Sequence, residues 1–178
     1  VALYFSHDSL DLVNQSTLTP GGTISAILRS RSTDSFYLAI YTYAPASENL
    51  TVFTEMLAAM ERCILQFSQN YPGNLVFVFG DFNLELSSPT SRSAQVLRNF
   101  LVTHDLCDEL ARLGSACPTW RGPGLRAGSA SRLDYIFSNI MHHFSSAKLF
   151  ANPTSDHRVV SLSSLKNENP PATNTFPK

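Results

Sequence analysis

The sequence is short of long apolar runs, of cysteine and of charge. No stretch reaches the roughly 18 consecutive apolar residues of a membrane-crossing helix, which argues against a membrane partner. Its opening residues, VALYFSHDSL, lack the basic region of a secretory signal peptide and lack an initiator Met. They start inside a strand-like run, as expected of a piece cut from a longer chain. The three cysteines (Cys63, Cys107, Cys117) are scattered, odd in number and without a shared metal-ligand spacing. That speaks against a disulfide framework or a cysteine-based zinc site and for reduced thiols in an intracellular protein. Charged residues make up only 15% and the net charge is −1, so no global field draws the chain to nucleic acid. No internal repeat is present.

What is present is an ordinary globular balance, 43% apolar in 178 residues, enough for one domain with a sizeable core. Ala2–Phe5 and Ile24–Leu28 read as short strands, and the aromatic, β-branched FYLAIYTY (Phe36–Tyr43) as a stronger one. Phe53, Met56, Leu57, Met60, Ile64 and Phe67 follow the spacing of one helical face, which Tyr71-Pro72-Gly73 ends. Leu75–Phe79 is a continuous apolar run, as in a strand covered on both sides. Ser91 or Ser93 can cap a second helix with Val96, Leu97, Phe100 and Leu101 on one face, and a shorter helical piece follows near Asp108–Leu113. After a Gly/Pro/Ser-rich loop, residues 121–131, come strands at Leu133–Phe137, near Ala147–Phe150 and near Val159–Leu165. Alternating strands and helices give an α/β class with mixed sheets. The expected domain is 1–165, and the polar, Pro/Asn-rich tail 166–178 is expected to be disordered.

Five short segments carry candidate chemistry. In VFVFGDFN (76–83), Asp81 and Asn83 share one side if the strand continues past Gly80. They would then project from the end of a buried strand, where open α/β sheets bind ligands. A turn explains Gly-Asp and Asn equally well. In SDHRVV (155–160), Asp156 and His157 precede a strand either as an acid/base or electrostatic pair or, as such loops more often are, as a plain polar loop. In SRLDYIF (131–137), Asp134 stands in an apolar strand, which is costly without a partner, and His157 would suit it. His142-His143 lacks a nearby carboxylate and reads as surface. In YTYAPA (41–46), the Tyr43 hydroxyl either points into the same cleft or packs under a turn. In PTW (118–120), Thr119 can donate to a phosphate, while Trp120 is more simply a packing anchor. Ten of the 13 basic residues are Arg, and four of these fall in 112–132. That bias fits phosphate contacts or a solvated loop face.

Together, Tyr43-Ala44-Pro45, Gly80-Asp81-Phe82-Asn83, Thr119-Trp120, Ser131-Arg132-Leu133-Asp134-Tyr135 and Ser155-Asp156-His157 resemble the endonuclease/exonuclease/phosphatase superfamily. They are most similar to the apurinic-like endonuclease domain of non-LTR retrotransposons. The resemblance implies a DNase I-like four-layer α/β sandwich, two mixed β-sheets flanked by helices, here lacking its first strands. It implies Mg²⁺-dependent phosphodiester hydrolysis (Mn²⁺ as a substitute), DNA as substrate, a nuclear setting and a reverse transcriptase fused in the parent gene. By motif, Asp81 orients the water and Asn83 binds phosphoryl oxygens. His157, held by Asp134, stabilises the pentacovalent state, Tyr43 contacts the phosphate and Asp156 serves the metal and its waters. Thr119, Arg121, Arg126, Ser155 and the loop 121–131 would touch DNA.

The sequence departs from the family pattern in two places. No strand ending in the family's principal metal-binding Glu is present, and Ala46 stands where retrotransposon relatives often carry Asn. The chain is therefore expected to be inactive or weak. The alternatives are a non-catalytic remnant or nucleic-acid-binding module of the same fold, and a superfamily phosphatase acting on a lipid or RNA phosphoester.

Overall fold

The computed structural model describes residues 8–20, 22–45, 49–122, 128–139 and 144–164. The expected strand at Ala2–Phe5, His142-His143, the loop tip with Arg126 and the tail lie outside the described residues. The elements run β1 (Leu10–Thr19), β2 (Thr23–Ser30), β3 (Phe36–Tyr43), α1 (Leu50–Asn70), β4 (Leu75–Asp81), α2 (Arg92–Thr103), β5 (Cys107–Asp108) and α3 (Glu109–Arg112). Then follow β6 (Trp120–Arg121), β7 (Ala130–Ser131), β8 (Asp134–Ser138), β9 (Phe144–Phe150) and β10 (Val159–Ser164). One six-stranded sheet has the order β1-β2-β3-β4-β8-β5, mixed because β3 and β4 are parallel and the other pairs antiparallel. The expected α/β sheet-and-helix fold is present. β6–β7 and β9–β10 are two-stranded antiparallel ribbons.

The β3–α1–β4 crossover carries the core. Asn49 caps α1, its side chain accepting from the Val52 N–H at 3.3 Å. Phe53, Met56, Leu57, Met60, Ile64 and Phe67 are buried, as their spacing predicts. Tyr71 closes the helix, and Gly73 takes a φ of 75°. The apolar stripe lies on Leu38 and Ile40 of β3, Val76 and Val78 of β4, and Tyr135 and Phe137 of β8, in one cluster with Leu97 and Phe100 of α2. Each such side chain stabilises the fold by about 1.5–3 kcal/mol on burial. No described helix is long and apolar enough to cross a membrane.

Strand alternation sends Tyr37, Ala39, Tyr41 and Tyr43 of β3, Phe77, Phe79 and Asp81 of β4, and Asp134 and Ile136 of β8 to the opposite face. Ala26, Leu28 and Ala39 form a small buried cluster there. The rings of Phe77 and Phe144 lie 5.5 Å apart, so the β9–β10 ribbon begins over this face. Of the sandwich's far side, that ribbon is what the described residues supply.

β1 and the end of β4 are among the places where the structure differs from the sequence reading. β1 was not anticipated: its middle residues, Val13 to Thr17, are polar-rich and exposed, as in an edge strand, so it shows little hydrophobic alternation. β4 runs on to Asp81, because Gly80 keeps the backbone in register at a φ of 135°. A Cβ at Gly80 would lie 1.9 Å from the Thr42 carbonyl oxygen. Gly80→Ala therefore combines a backbone clash with a conformation that L residues avoid. A loss of about 3 kcal/mol or more is expected in denaturant titration; an unchanged midpoint contradicts this account of the strand end.

Candidate active site

β4 and β8 pair so that Asp81 stands directly opposite Asp134, and β3 sets Tyr43 beside Asp81. The chain segment before β10 then brings in His157. Its Nδ1 lies 2.8 Å from Asp134 Oδ2, and its Nε2 lies 3.8 Å from Asp81 Oδ2. One carboxylate or imidazole atom from each of Asp81, Asp134 and His157 lies within 4.8 Å of the others. Tyr43 is 49% exposed at the mouth.

The electrostatics set protonation states. Burial pushes the Asp81 carboxyl up from its ordinary 3.8, aided by the charges of Asp134 and Asp156; the Asn83 N–H and His157 pull the other way. Burial alone would lower His157. The hydrogen bond to Asp134 and the charges of Asp134, Asp81 and Asp156 together outweigh it, so the imidazole rises above its usual 6.5. The imidazole thus stands between two carboxylates that favour its protonated form, with Asp134 fixing its orientation.

Asp81 and Asn83 combine the two readings that the sequence left open. The Asn83 N–H donates to Asp81 Oδ1 at 2.8 Å, a side-chain-closed turn, and Asn83 takes a φ of 50°. The strand stops at Asp81, and the buried Phe82 turns into the core. The Asn83 amide reaches back to the Ala44 carbonyl at 2.5 Å, so one of its N–H groups locks the strand ends together.

Thr119 requires a correction. It is 0% exposed, which removes it from any DNA contact. Its hydroxyl accepts from the N–H groups of Leu133 and Asp134 at 3.1 and 3.0 Å, and its carbonyl accepts from Arg158 at 2.7 Å. Thr119 thereby joins the strand bearing Asp134 to the segment bearing His157. Trp120 does related work that its reading as a packing anchor missed: it bridges to the His157 backbone, and its indole N–H donates to Asp156 Oδ2 at 2.8 Å. Asp156 spends that carboxylate oxygen on the indole and stands outside the three-residue cluster. Ser155 Oγ accepts from the His157 N–H at 3.1 Å, and the Arg121 N–H donates to the Asp156 carbonyl at 3.0 Å. Both residues are exposed on the rim.

The donor set suits a hydrated divalent cation. Asp81 Oδ2 has no hydrogen-bond donor among the described residues nearer than His157 Nε2, and hard cations such as Mg²⁺ bind through one or two carboxylates plus waters.

The sequence profile of the Endonuclease/Exonuclease/phosphatase family matches residues 7–157. No curated protein sequence matches the chain. Among solved structures, the endonuclease domain of TRAS1, a telomere-specific non-LTR retrotransposon, is similar at TM-score 0.67 and 18% identity, over 92% of this chain and 72% of that one. A mannosyl-6-phosphatase of Bacteroides thetaiotaomicron is similar at TM-score 0.66 and 14% identity, over 89% and 68%. A 3′ phosphatase from Neisseria, bound to a product DNA hairpin, is similar at TM-score 0.65 and 16% identity, over 86% and 71%. Human Nocturnin's catalytic domain is similar at TM-score 0.59 and 19% identity, and this chain covers 62% of its length. At such identities the likeness establishes the fold.

Two predictions follow from the His157 environment. A folded-state pKa above 6.5 means that His157 stabilises the metal-free fold below pH 6.5 and that this contribution fades as pH rises through the folded value. With chelator present, the melting temperature of the wild type minus that of His157→Asn should therefore shrink from pH 6 to pH 9; a constant difference contradicts the raised pKa. Thr119→Val removes the acceptor for two amides, at a cost of about 1–3 kcal/mol in denaturant titration, and Thr119→Ser should restore most of it. Equal stability of Val and Ser variants contradicts the anchoring role.

Proposed function

The chain belongs to the endonuclease/exonuclease/phosphatase family, and on that premise we propose that its site hydrolyses a phosphodiester bond of DNA with the aid of Mg²⁺ or Mn²⁺. The observation that carries this reading is the Asp81–His157–Asp134 arrangement at the carboxyl end of β4. Asp81, with Asp134 beside it, would hold a divalent ion, which would supply positive charge to the phosphoryl oxygens and lower the pKa of water. The chain's own residues do the rest. Asp81, once ionised, orients the attacking water from the strand end. His157, protonated and fixed by Asp134, donates toward the charge that develops on phosphorus-bound oxygen, where a preorganised donor stabilises the transition state. Tyr43 offers its hydroxyl from the exposed rim. Arg121 and Ser155 face solvent beside the site, where phosphate contacts of a longer substrate fall.

Few oxygen ligands stand in the described cluster, so turnover by these 178 residues is expected to be slow. The likeness to a retrotransposon endonuclease domain and to a phosphatase bound to DNA is what points this reading to DNA among phosphoesters. A reverse transcriptase in the parent gene and a nuclear setting belong to the same reading.

Nicking of supercoiled plasmid by the whole chain tests it. Slow relaxation that requires Mg²⁺, is abolished by Asp81→Ala and falls roughly 100-fold in His157→Ala is expected. Faster hydrolysis of mannose 6-phosphate or a phosphoinositide than of DNA overturns the substrate. Activity that survives Asp81→Ala overturns the site.

A further inference from the structure

β3 carries a second tyrosine on the same face, two residues before Tyr43. Tyr41 pairs in register with Phe79, as Tyr43 pairs with Asp81. Across β4, Phe79 faces Ile136 as Asp81 faces Asp134. The layer Tyr41–Phe79–Ile136 therefore lies immediately beneath the layer Tyr43–Asp81–Asp134. Tyr41 packs against Phe79 edge to face, with ring centroids 5.6 Å apart, which restricts its ring. The residue is only half-buried, and among the described residues its hydroxyl has no hydrogen-bond partner.

Within the carboxylate cluster itself the free donors are few, His157 Nε2 with the Tyr43 hydroxyl at its rim. Asp81, Asp134 and Asp156 are acceptors when ionised, His157 Nδ1 is engaged with Asp134, and one Asn83 N–H is taken by Ala44. An anionic phosphoryl group entering here needs donors that add no bulk, and a phenol below the carboxylate layer is one. We propose that Tyr41 is a substrate-positioning residue of this site, its hydroxyl donating to a phosphoryl oxygen held between Asp81 and Asp134. Burial, then the charges of Asp81, Asp134 and Tyr43, push the phenol up from 10.0, so it stays a neutral donor across the working range. The inference rests on the proposed phosphoester site but does not depend on turnover.

Titration calorimetry of inorganic phosphate into the whole chain, with Mg²⁺ present, tests it. Tyr41→Phe removes one hydroxyl and should weaken phosphate binding at least fivefold while the melting temperature holds. Tyr37→Phe, on the same face and four residues further from the site, should leave binding unchanged. A tyrosine difference absorbance on saturation with phosphate should appear in the wild type and vanish in Tyr41→Phe. Equal phosphate affinity of Tyr41→Phe and wild type overturns the role of Tyr41 alone. No phosphate binding by the wild type overturns both this inference and the phosphoester site. Binding that is intact in a chain unable to cleave any phosphodiester overturns only the hydrolase reading, and the Tyr41 comparison still decides its role.

Discussion

The hydrogen bond between Asp134 and His157 ties an acid of the large sheet to the base that precedes the smaller ribbon. Asp134 opens β8 of the large sheet, and His157 lies just before β10 of the smaller ribbon. A carboxylate half-removed from water costs free energy unless a charged partner compensates it. His157 is that partner, and it also reaches toward Asp81, so one imidazole offsets two acids. Remove it, and two carboxylates directly opposite each other on neighbouring strands repel without relief.

The shell around this pair explains why the geometry holds. Thr119 takes two backbone N–H groups at the start of β8 and returns its carbonyl to Arg158, one residue after His157. Trp120 bridges to His157 and grips Asp156. On the other side, Ala44 donates its N–H to the Asp81 carbonyl, and the Asn83 amide caps the Ala44 carbonyl. Each acid or base of the site therefore stands next to a backbone segment fixed at more than one point, the condition for a preorganised centre.

Much of this was legible in the sequence, for reasons that can be named. α1 announced itself by apolar spacing, and β3 and β4 by β-branched and aromatic runs, because those patterns are the direct consequence of burying one face. Asp134 inside an apolar strand and His157 before another were recognisable as partners because an unpaired buried acid is costly. Asp81 was placed correctly at a strand end, but Asn83 was not its same-face neighbour: a turn at φ 50° intervenes, which alternation cannot foresee. Thr119 was misjudged because a hydroxyl that serves a phosphate and one that serves two backbone amides look alike in sequence; only its complete burial separates them. β1 was missed because an exposed edge strand carries polar residues along most of its length. Tyr41 drew no notice because an aromatic in a strand reads first as packing.

The account's central claim is that Asp81, Asp134 and His157 form a divalent-metal phosphoester site. Paramagnetic broadening by Mn²⁺ of the His157 ring proton resonances, followed by NMR on the whole chain, tests that most directly. The account predicts selective broadening of His157 over His104, which caps the end of α2, reversed by excess Mg²⁺ and lost in Asp81→Asn. Uniform broadening of both histidines, or none that depends on Asp81, would contradict it.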